Sequence, residues 1–415
     1  MMNKAILILS HQLLSMVAPI KKIVEDNGYA CYVLSSTSSK ATAPQWEIDE
    51  KQFSITSSLY LEKADIDLFL QTTGKNVDFA GCLSVWDGYR HLMSYANHIF
   101  GARDISEEVV ARLRDKLVMR QVLQAAGLTA VTSQVLNEAL FESISHPEQY
   151  FIKPRIGLAS MGTFPAKSLT EYAQLEHLWM RAAEDKNYEG IFSRDNGFIL
   201  EGFISGVECS FEIAIDNGVM DVLAVHEKLD VTQETYSVLE GACICPPRSL
   251  TTAQVEAGKV RLDEIMKALG ADTGVYHVEM KFDSQLQWEV VEINPRIGGA
   301  YIVDSTKIHA GACLLETWLM LILGRSPVRS AAPARTTFFR VFFGQSGKTL
   351  LRIQRSTLEL PAVQEKVLYK AQDKLPSVER EIFLGMALWD ITDMAISEHP
   401  IFFKQTNDYL ITEYQ

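Results

Sequence analysis

The sequence predicts an α/β protein in which a parallel sheet comes first and antiparallel strands follow. Two observations predict this order. From Lys4 to about Gly101, short apolar runs with the length of buried strands alternate with helical patterns, which is typical of a parallel α/β layer. Further along, two pairs of alternating segments are joined by short polar turns, as in antiparallel hairpins. The 415 residues are enough for two to four domains.

The composition is that of a globular protein with an acidic balance. Apolar residues make up 47% and charged residues 22%, and 39 basic against 52 acidic residues give a net charge of −13. This charge, without a basic block, argues against nucleic acid or membrane partners. The six cysteines form no disulfide or zinc pattern, and the apolar run near the start is too short for a signal peptide. The longest apolar stretch, residues 314–323, is interrupted by Glu316 and cannot span a bilayer. We therefore expect a cytoplasmic protein.

The first hundred residues predict the parallel layer. A helix at 13–27, ended by Gly28, follows the first strand, and the predicted strands are 5–9, 30–34, 68–71 and 81–86. Ser10 and His11 follow the first strand, where a dinucleotide-binding protein would have its glycine-rich turn. A dinucleotide site is therefore not supported.

The middle of the chain predicts one long helix and a small α/β unit. Asp104 and Glu107 suggest a capping box for this helix, and Gly127 would end it. The small unit that follows has predicted strands at 149–153, near 162–164 and at 198–204, with a helix at 170–183.

The antiparallel part begins with a hairpin of 208–215 and 219–228. His226 and Lys228 on its second strand either face a substrate or form a polar edge. A helix at 253–269 follows, then a second hairpin of 275–282 and 287–294, and residues 336–415 predict a mixed α/β appendix.

The second hairpin contains the most informative side chains. Alternation along each strand places Glu279 on one face of its strand, and Glu292 and Asn294 on one face of the next. If the strands pair around residues 283–285, two carboxylates and an amide oxygen converge, which suits a hard cation such as Mg²⁺. The alternative is a solvated acidic strand face.

Several cationic and glycine residues extend this pattern. Arg296 follows Asn294 closely and could stabilise developing negative charge, while Gly298 and Gly299 allow close approach of the backbone to a ligand. Lys116 is on the long helix, and Lys153 is at a strand end before a glycine-containing loop, where a lysine can contact phosphate. Taken singly, each of the two is more typical of a surface lysine.

Taken in order, these segments resemble the ATP-grasp superfamily, and within it ligases of the L-amino-acid ligase (dipeptide synthetase) type. The resemblance covers residues 115–299. It rests on Asp115-Lys116 with Met119-Arg120, Phe151-Ile152-Lys153-Pro154, residues 200–210 from Leu200-Glu201-Gly202-Phe203-Ile204 to Ser210, Glu279, and Glu292-Ile293-Asn294-Pro295-Arg296-Ile297-Gly298-Gly299. It implies a Rossmann-like domain at 1–110, a linker helix and lid at 111–200, and a catalytic antiparallel domain at 201–415 with the appendix from about 327.

The resemblance also implies a role for each matching residue. Lys116 and Lys153 would contact phosphates, Glu208 would bind ribose, and Arg296 would neutralise an acyl-phosphate, aided by the amides near Gly298 and Gly299. The adenine would lie on a hinge of four residues, Glu201, Gly202, Phe203 and Ile204. The ligands of Mg²⁺, or of Mn²⁺ in its place, would be Glu279, Glu292 and Asn294. The loop 155–161 would cover the phosphates.

The function implied is an ATP-dependent carboxylate–amine ligase. It would join an amino acid or related small carboxylate to an amine through an acyl-phosphate, releasing ADP and phosphate, and would form a homodimer. Two alternatives remain, an acceptor such as a carrier-protein thiol or bicarbonate, and nucleotide binding without turnover. The stretch Leu239-Glu240-Gly241-Ala242 lacks the histidine that many dipeptide ligases have there, a departure that bears on the substrate class.

Overall fold

Four parallel strands form the N-terminal sheet. The computed structural model describes residues 4–13, 16–38, 46–285, 287–327, 329, 334–378 and 380–415. The strands have the order β3-β2-β1-β4. The elements of this part are β1 (Ala5–Ser10), α1 (Val17–Asp26), β2 (Ala30–Ser35), β3 (Phe53–Ile55), α2 (Lys63–Gln71), β4 (Phe79–Leu83) and α3 (Arg90–Phe100). The predicted parallel layer is confirmed.

Two local predictions in this layer need correction. The predicted strand 68–71 is wrong, because Ile66 and Phe69 are buried one helical turn apart in α2 while Leu68 is 59% exposed. The predicted strand 81–86 starts earlier, at Phe79, and ends at Leu83. The predicted first helix begins later than expected, and residues 14–15 of that prediction lie outside the described residues.

Two helices, not one, connect the N-terminal sheet to the lid. They are α4 (Glu107–Arg114) and α5 (Lys116–Ala125), and the single long helix predicted here is wrong. Asp115 has an extended backbone, and its carboxylate accepts hydrogen bonds from the N–H groups of Leu117 and Val118, so it caps α5. Ser106, rather than Asp104, caps α4. The break places Lys116 in the first turn of α5.

A small unit, which the resemblance predicts to be a lid and which we call the lid, is built on a four-stranded antiparallel sheet of order β5-β8-β6-β7, the lid sheet. Its apolar core includes Ile152, Phe164 and Leu200. Its elements are β5 (Ser133–Val135), α6 (Glu138–Glu142), β6 (Tyr150–Pro154), β7 (Phe164–Pro165), α7 (Gln174–Glu184) and β8 (Phe198–Gly202). The domain boundaries inferred from the resemblance stay predictions.

An eight-stranded antiparallel sheet, the large sheet, dominates the rest of the chain. Its order is β13-β12-β9-β10-β11-β14-β17-β16, and β15 and β18 form a separate pair. The elements are β9 (Val207–Asp216), β10 (Val219–Gln233), β11 (Val238–Cys245), α8 (Thr252–Leu269), β12 (Gly274–Asp283), β13 (Gln287–Asn294), α9 (Ile302–Ala310), α10 (Leu314–Ile322), β14 (Thr337–Phe343), β15 (Leu350–Arg355), β16 (Gln364–Val367), β17 (Phe383–Asp390), α11 (His399–Thr406) and β18 (Leu410–Tyr414). Both predicted hairpins are confirmed.

The appendix is continuous with this sheet. Strand β14 pairs with β11, and β17 pairs with β14, so residues late in the chain extend the sheet that contains Glu279. This arrangement brings C-terminal side chains to the same cavity as the predicted site.

Helix α10 joins the N-terminal and large sheets. Leu314, Trp318 and Leu319 are fully buried in the core that contains the strands of the N-terminal sheet. It is therefore a buried core helix, as its apolar surface requires. Across the described residues, no helix combines the length and the apolar character needed to span a bilayer.

Candidate active site

A cavity of about 910 Å³ lies between the lid sheet, the large sheet and the N-terminal layer. This volume is at the upper end of the range for small-molecule sites, roughly 300–1,000 Å³. The sequence-predicted site residues that line it are Lys116, Lys153, Glu201, Gly202, Phe203, Ile204, Glu208, Glu279, Glu292, Asn294, Arg296 and Gly299. Residues from four separate parts of the chain thus meet in one place.

The predicted pairing of acidic residues occurs on strands β12 and β13. Glu279 lies directly opposite Glu292, and His277 lies opposite Asn294. Directly opposite residues of an antiparallel pair share a face, with Cβ atoms about 5 Å apart. The carboxylates and the amide therefore face the cavity together, as predicted, but a β-bulge between Glu279 and Met280, and not alternation alone, sets Glu292 opposite Glu279.

Lys228 is surrounded by three carboxylates. Its Nζ lies 2.6 Å from an oxygen of Glu208, 3.1 Å from one of Glu279, and against Glu240. Burial disfavours the ammonium, but the carboxylates outweigh it and raise the pKa of Lys228 well above its usual value. The interpretation in which Lys228 faces the cavity is thus the one observed.

The same cluster is a geometric candidate for a cation. One oxygen each from Glu208, Glu240 and Glu279 lie within 4.8 Å of one another. Burial raises the pKa of Glu240 to about 7, whereas Lys228 and His277 lower that of Glu279 against its burial. Three carboxylates around one ammonium leave an excess of negative charge, which is the setting that oxygen-preferring divalent cations require.

His277 connects Glu279 to the sheet. Its Nδ1 lies 2.7 Å from a carboxylate oxygen of Glu212, and its Nε2 lies 3.3 Å from one of Glu279. Burial opposes protonation, but the two carboxylates raise the pKa of His277 to about 10, so both ring nitrogens donate. His277 thereby positions Glu279. Sequence reasoning did not select it, although it lies two residues before Glu279 on the same strand face.

His226 has a different setting from its neighbour Lys228. It is fully buried, and its Nε2 lies 2.8 Å from the hydroxyl of Ser305. Burial lowers the pKa of His226 to about 4. Its side chain is a packed, neutral core group rather than part of the cavity wall.

The two predicted phosphate-contacting lysines both point into the cavity. Lys116 Nζ lies 2.9 Å from a carboxylate oxygen of Glu292, and Lys153 Nζ lies 2.7 Å from one of Glu201. Glu201 also accepts hydrogen bonds from Arg120, which is fully buried. Arg120 belongs to the first motif of the resemblance but was given no role from the sequence, although it lies one helical turn after Lys116 and therefore on the same face of α5.

The predicted hinge has a free donor at its last residue. The N–H of Gly202 donates to the carbonyl of Thr132, and that of Phe203 donates to the carbonyl of Gln149. Within the described ranges, the N–H of Ile204 donates to no protein acceptor. The carboxylate of Glu201 is held in its ion pairs, so this residue would contribute only backbone to a nucleotide.

Arg296 is held by residues from two layers. Its Nη2 donates to the side-chain oxygen of Asn294 at 3.3 Å, its Nη1 donates to the carbonyl of Ile297 at 2.8 Å, and its Nε lies 3.5 Å from Asp87. Asp87, from the N-terminal layer, also binds Arg114. The guanidinium is thus fixed beside the predicted metal ligands.

The two glycines after Arg296 differ. A Cβ on Gly298 would lie 2.6 Å from Ile302 and 2.8 Å from His277, so close packing explains this glycine, and it is not among the residues that line the cavity. The expectation that Gly298 approaches a ligand is therefore not supported. Gly299 has open space beside it and lines the cavity with Ala300.

The predicted phosphate-covering loop closes one side of the cavity. Gly157, Leu158 and Met161 line it, and Arg155 at the start of the loop binds the carboxylate of Asp115. The N–H of Lys116 donates to the carbonyl of Arg155, so the loop is tied to the start of α5.

Comparisons with known proteins agree with this geometry. Residues 147–304 match the family model of the ATP-grasp domain. The chain is 28% identical over 164 residues to carnosine synthase 1 from Gallus gallus, a match that covers 39% of this chain and 17% of the length of that relative. The solved structure of an L-amino acid ligase from Bacillus licheniformis superposes with a TM-score of 0.78 at 20% identity, covering 100% of both chains.

A second solved structure matches the whole chain. Phosphoribosylglycinamide synthetase from Anaerococcus prevotii has a TM-score of 0.69 at 15% identity and covers 100% of both chains. The chain therefore contains an ATP-grasp domain and has the ATP-grasp fold, and the resemblance noted in the sequence is confirmed.

Proposed function

We propose that this protein is an ATP-dependent ligase that joins a small carboxylate, an amino acid or a related acid, to an amine. The observation that supports this most strongly is the convergence, in an ATP-grasp fold, of Glu279, Glu292 and Asn294 with two buried lysines and Arg296 on one cavity. Such a set provides oxygen ligands for a cation, cationic groups for phosphates and a fixed guanidinium for a charged intermediate. The matches to an amino acid ligase and to part of carnosine synthase support an amino acid substrate.

ATP-grasp enzymes in general use ATP and Mg²⁺, and the residues present fit a divalent cation. Carboxylate oxygens already lie close together around Lys228, and Glu292 and Asn294 face the cavity beside them. Glu279, Glu292 and Asn294 would hold the ion, which, when bound, reduces the negative charge on the phosphates. Binding of the ion would release Lys116 from Glu292 toward phosphate.

The chain's other residues would divide the work of binding and stabilisation. Lys116 and Lys153 would bind the phosphates of ATP, the N–H of Ile204 would donate to adenine, and Glu208 would accept from ribose hydroxyls. A carboxylate oxygen of the substrate would bond to the γ-phosphorus while the bond to ADP breaks. The amine would then attack the acyl carbon, lose a proton and displace phosphate, and Arg296 would stabilise the oxyanion formed in this step.

The test of this function is a coupled assay with defined pools of substrates. The protein is incubated with ATP, Mg²⁺ and pools of amino acids, and both phosphate release and product mass are followed. We expect phosphate release that depends on amino acids, with a product whose mass equals two substrates minus water. Phosphate release that ignores every amino acid contradicts the proposal, and ADP formed only with an acyl-carrier protein or with bicarbonate identifies a different acceptor.

The lid supplies a separate prediction, because an acyl-phosphate hydrolyses unless water is excluded. Asp185 of the lid is buried, and its carboxylate lies 2.5 Å from the Nε of Arg380, a mostly buried residue of the C-terminal part. Replacing Asp185 by asparagine should weaken lid closure and raise the ratio of ADP to ligated product several-fold. The ratio is measured by quantifying both products in one reaction.

The matched control for this variant is Glu176→Gln, which removes an exposed lid carboxylate paired with Arg194. It should leave the ratio unchanged, because exposed ion pairs contribute little. An unchanged ratio in Asp185→Asn would contradict the role of this contact in closure.

The homodimeric state and the cytoplasmic location stay predictions. All six cysteines are unpaired thiols, which is compatible with a reducing compartment.

A further inference from the structure

Glu381 is a buried acid whose carboxylate has no partner. It lies just before strand β17, is 9% exposed and lines the central cavity. Within the described residues, its carboxylate accepts no hydrogen bond and forms no ion pair. Buried carboxylates are almost always paired, because the charge is costly to remove from water. An unpaired acid that faces a cavity therefore indicates a missing cationic or donor group.

The neighbouring arginine does not supply this group. Arg380 directs its Nε to Asp185, stacks its guanidinium on Tyr188 at 4.5 Å, and donates from Nη1 to the backbone carbonyl of Glu381 rather than to its carboxylate. None of these contacts of the guanidinium involves the carboxylate of Glu381. The hydrogen bond from Arg380 to the carbonyl of Glu381 holds the backbone of Glu381 in place and leaves its carboxylate open to the cavity.

The charged groups near Glu381 also leave it without a dedicated partner. Lys228 is the cation on the cavity side, and it already binds Glu208, Glu240 and Glu279. Burial and the nearby carboxylates of Glu240 and Glu279 raise the pKa of Glu381 to about 8. An added positive charge from a ligand would relieve this repulsion.

The wall beside Glu381 is apolar and aromatic. Glu381 and Phe383 both line the cavity, while Ile382 between them packs into the opposite core. Phe383 is paired with Phe343 across the two strands, and their ring centroids are 5.5 Å apart. Phe339 and Val341, at alternate positions of β14, extend the same surface. An acid beside such a wall suits a ligand with one ammonium and an apolar side chain.

We propose that Glu381 binds the ammonium group of the substrate whose carboxylate is activated, and that the adjoining aromatic wall selects an amino acid with an apolar side chain. This inference rests on the proposed function and adds to it a substrate class and a specificity residue. The C-terminal part of the chain thereby contributes to recognition, and Glu381 acts in binding rather than in bond formation.

The chemistry of the two amino groups assigns Glu381 to the acyl substrate and not to the acceptor. An ammonium held by a carboxylate stays protonated and is therefore not a nucleophile. The amino group of the acyl substrate must not react, so this protonated state suits it. The attacking amine has to lose its proton, so a buried ion pair with an acid would oppose its reaction.

The test compares amino acids with their desamino analogues. The wild-type protein, Glu381→Gln, Glu381→Asp and Glu359→Gln are assayed with Mg-ATP and a fixed concentration of glycinamide, an amine without a carboxylate, as the acceptor. The acid is either L-leucine or its desamino analogue isocaproate, or either L-phenylalanine or its desamino analogue hydrocinnamate. We expect the wild type to prefer the amino acid by at least about 30-fold in kcat/KM, the usual scale for a desolvated charge pair. Glu381→Gln should reduce this preference to about 3-fold or less, mainly through KM, with KM for ATP unchanged.

Two controls keep the result interpretable. Glu359 is an exposed acid of the same C-terminal part, and its replacement should change nothing. Glu381→Asp should restore part of the preference, which a merely structural role would not predict. A preference for the amino acid that survives in a folded Glu381→Gln protein, shown by an unchanged circular dichroism spectrum and ATP affinity, overturns the proposal.

A binding measurement separates this proposal from the proposed function. Calorimetric titration of L-leucine and isocaproate into the protein with Mg-ADP requires no turnover. Tighter binding of L-leucine that depends on Glu381 supports the assignment even if no ligation is detected, in which case only the proposed reaction fails. Equal binding of both compounds to wild type and Glu381→Gln overturns the assignment even if ligation occurs.

Discussion

Replacing Glu292 by glutamine should reduce ATP-dependent turnover by about 10²–10³-fold, the scale on which removal of a key electrostatic group affects a reaction. Glu292 lies directly opposite Glu279 on the neighbouring strand and faces the cavity beside Asn294. Glutamine has the same shape but lacks the charge, so a divalent cation would lose one of its anionic ligands. The rate is measured as phosphate release over a range of Mg²⁺ concentrations.

The fold should survive this change. Lys116 is the ion-pair partner of Glu292, and the amide oxygen of glutamine still accepts a hydrogen bond from it. We expect the circular dichroism spectrum to be unchanged and the melting temperature to move by only a few degrees. The matched control is Glu264→Gln on the exposed side of α8, which should retain full activity. A wild-type rate in Glu292→Gln would remove the metal assignment.

The hairpin that holds Glu279 and Glu292 could be predicted because its information is local. Period-two alternation on both strands and a short polar turn between them predicted the hairpin. A β-bulge between Glu279 and Met280, which that pattern does not show, shifts the register and sets Glu292 rather than Val291 opposite Glu279. The same reasoning failed for residues 68–71, where four apolar-rich residues do not distinguish a strand from a helix end. It also failed at Asp115, whose capping side chain interrupts an otherwise helical pattern.

The rest of the site depends on contacts between residues far apart in the chain. Glu381 reaches the cavity only because β17 pairs with β14 and β14 with β11, and no local pattern specifies these pairings. Lys228 meets Glu208 across one hairpin, so the sequence could partly predict this contact. The proximity of Lys228 to Glu240 and Glu279 requires four strands in register, β12-β9-β10-β11. The roles of these residues in binding and catalysis stay predictions until the variants are measured.

Replacing Arg120 by methionine should lower the free energy of unfolding by about 3–5 kcal/mol, the usual cost of breaking a buried ion pair from one side. Arg120 is fully buried and donates to Glu201, to the hydroxyl of Thr129 and to the carbonyl of Val290 at 2.8 Å. Methionine fills a similar volume but leaves these acceptors without their donor. Proteins of this kind have only about 5–15 kcal/mol of stability, so the loss is large.

The measurement is a urea titration followed by far-ultraviolet circular dichroism and tryptophan fluorescence, with the midpoint compared between proteins. The control, Arg261→Met, removes a partly exposed arginine paired with the exposed Glu264 on α8 and should change stability by less than about 0.5 kcal/mol. Lys153 still neutralises Glu201 in the Arg120 variant, so a loss near zero would mean that this lysine alone supports the buried acid. In that case Arg120 would not be needed to hold Glu201. The position of strand β8, which leads into the hinge, would then depend on Lys153, the residue that we assign to phosphate.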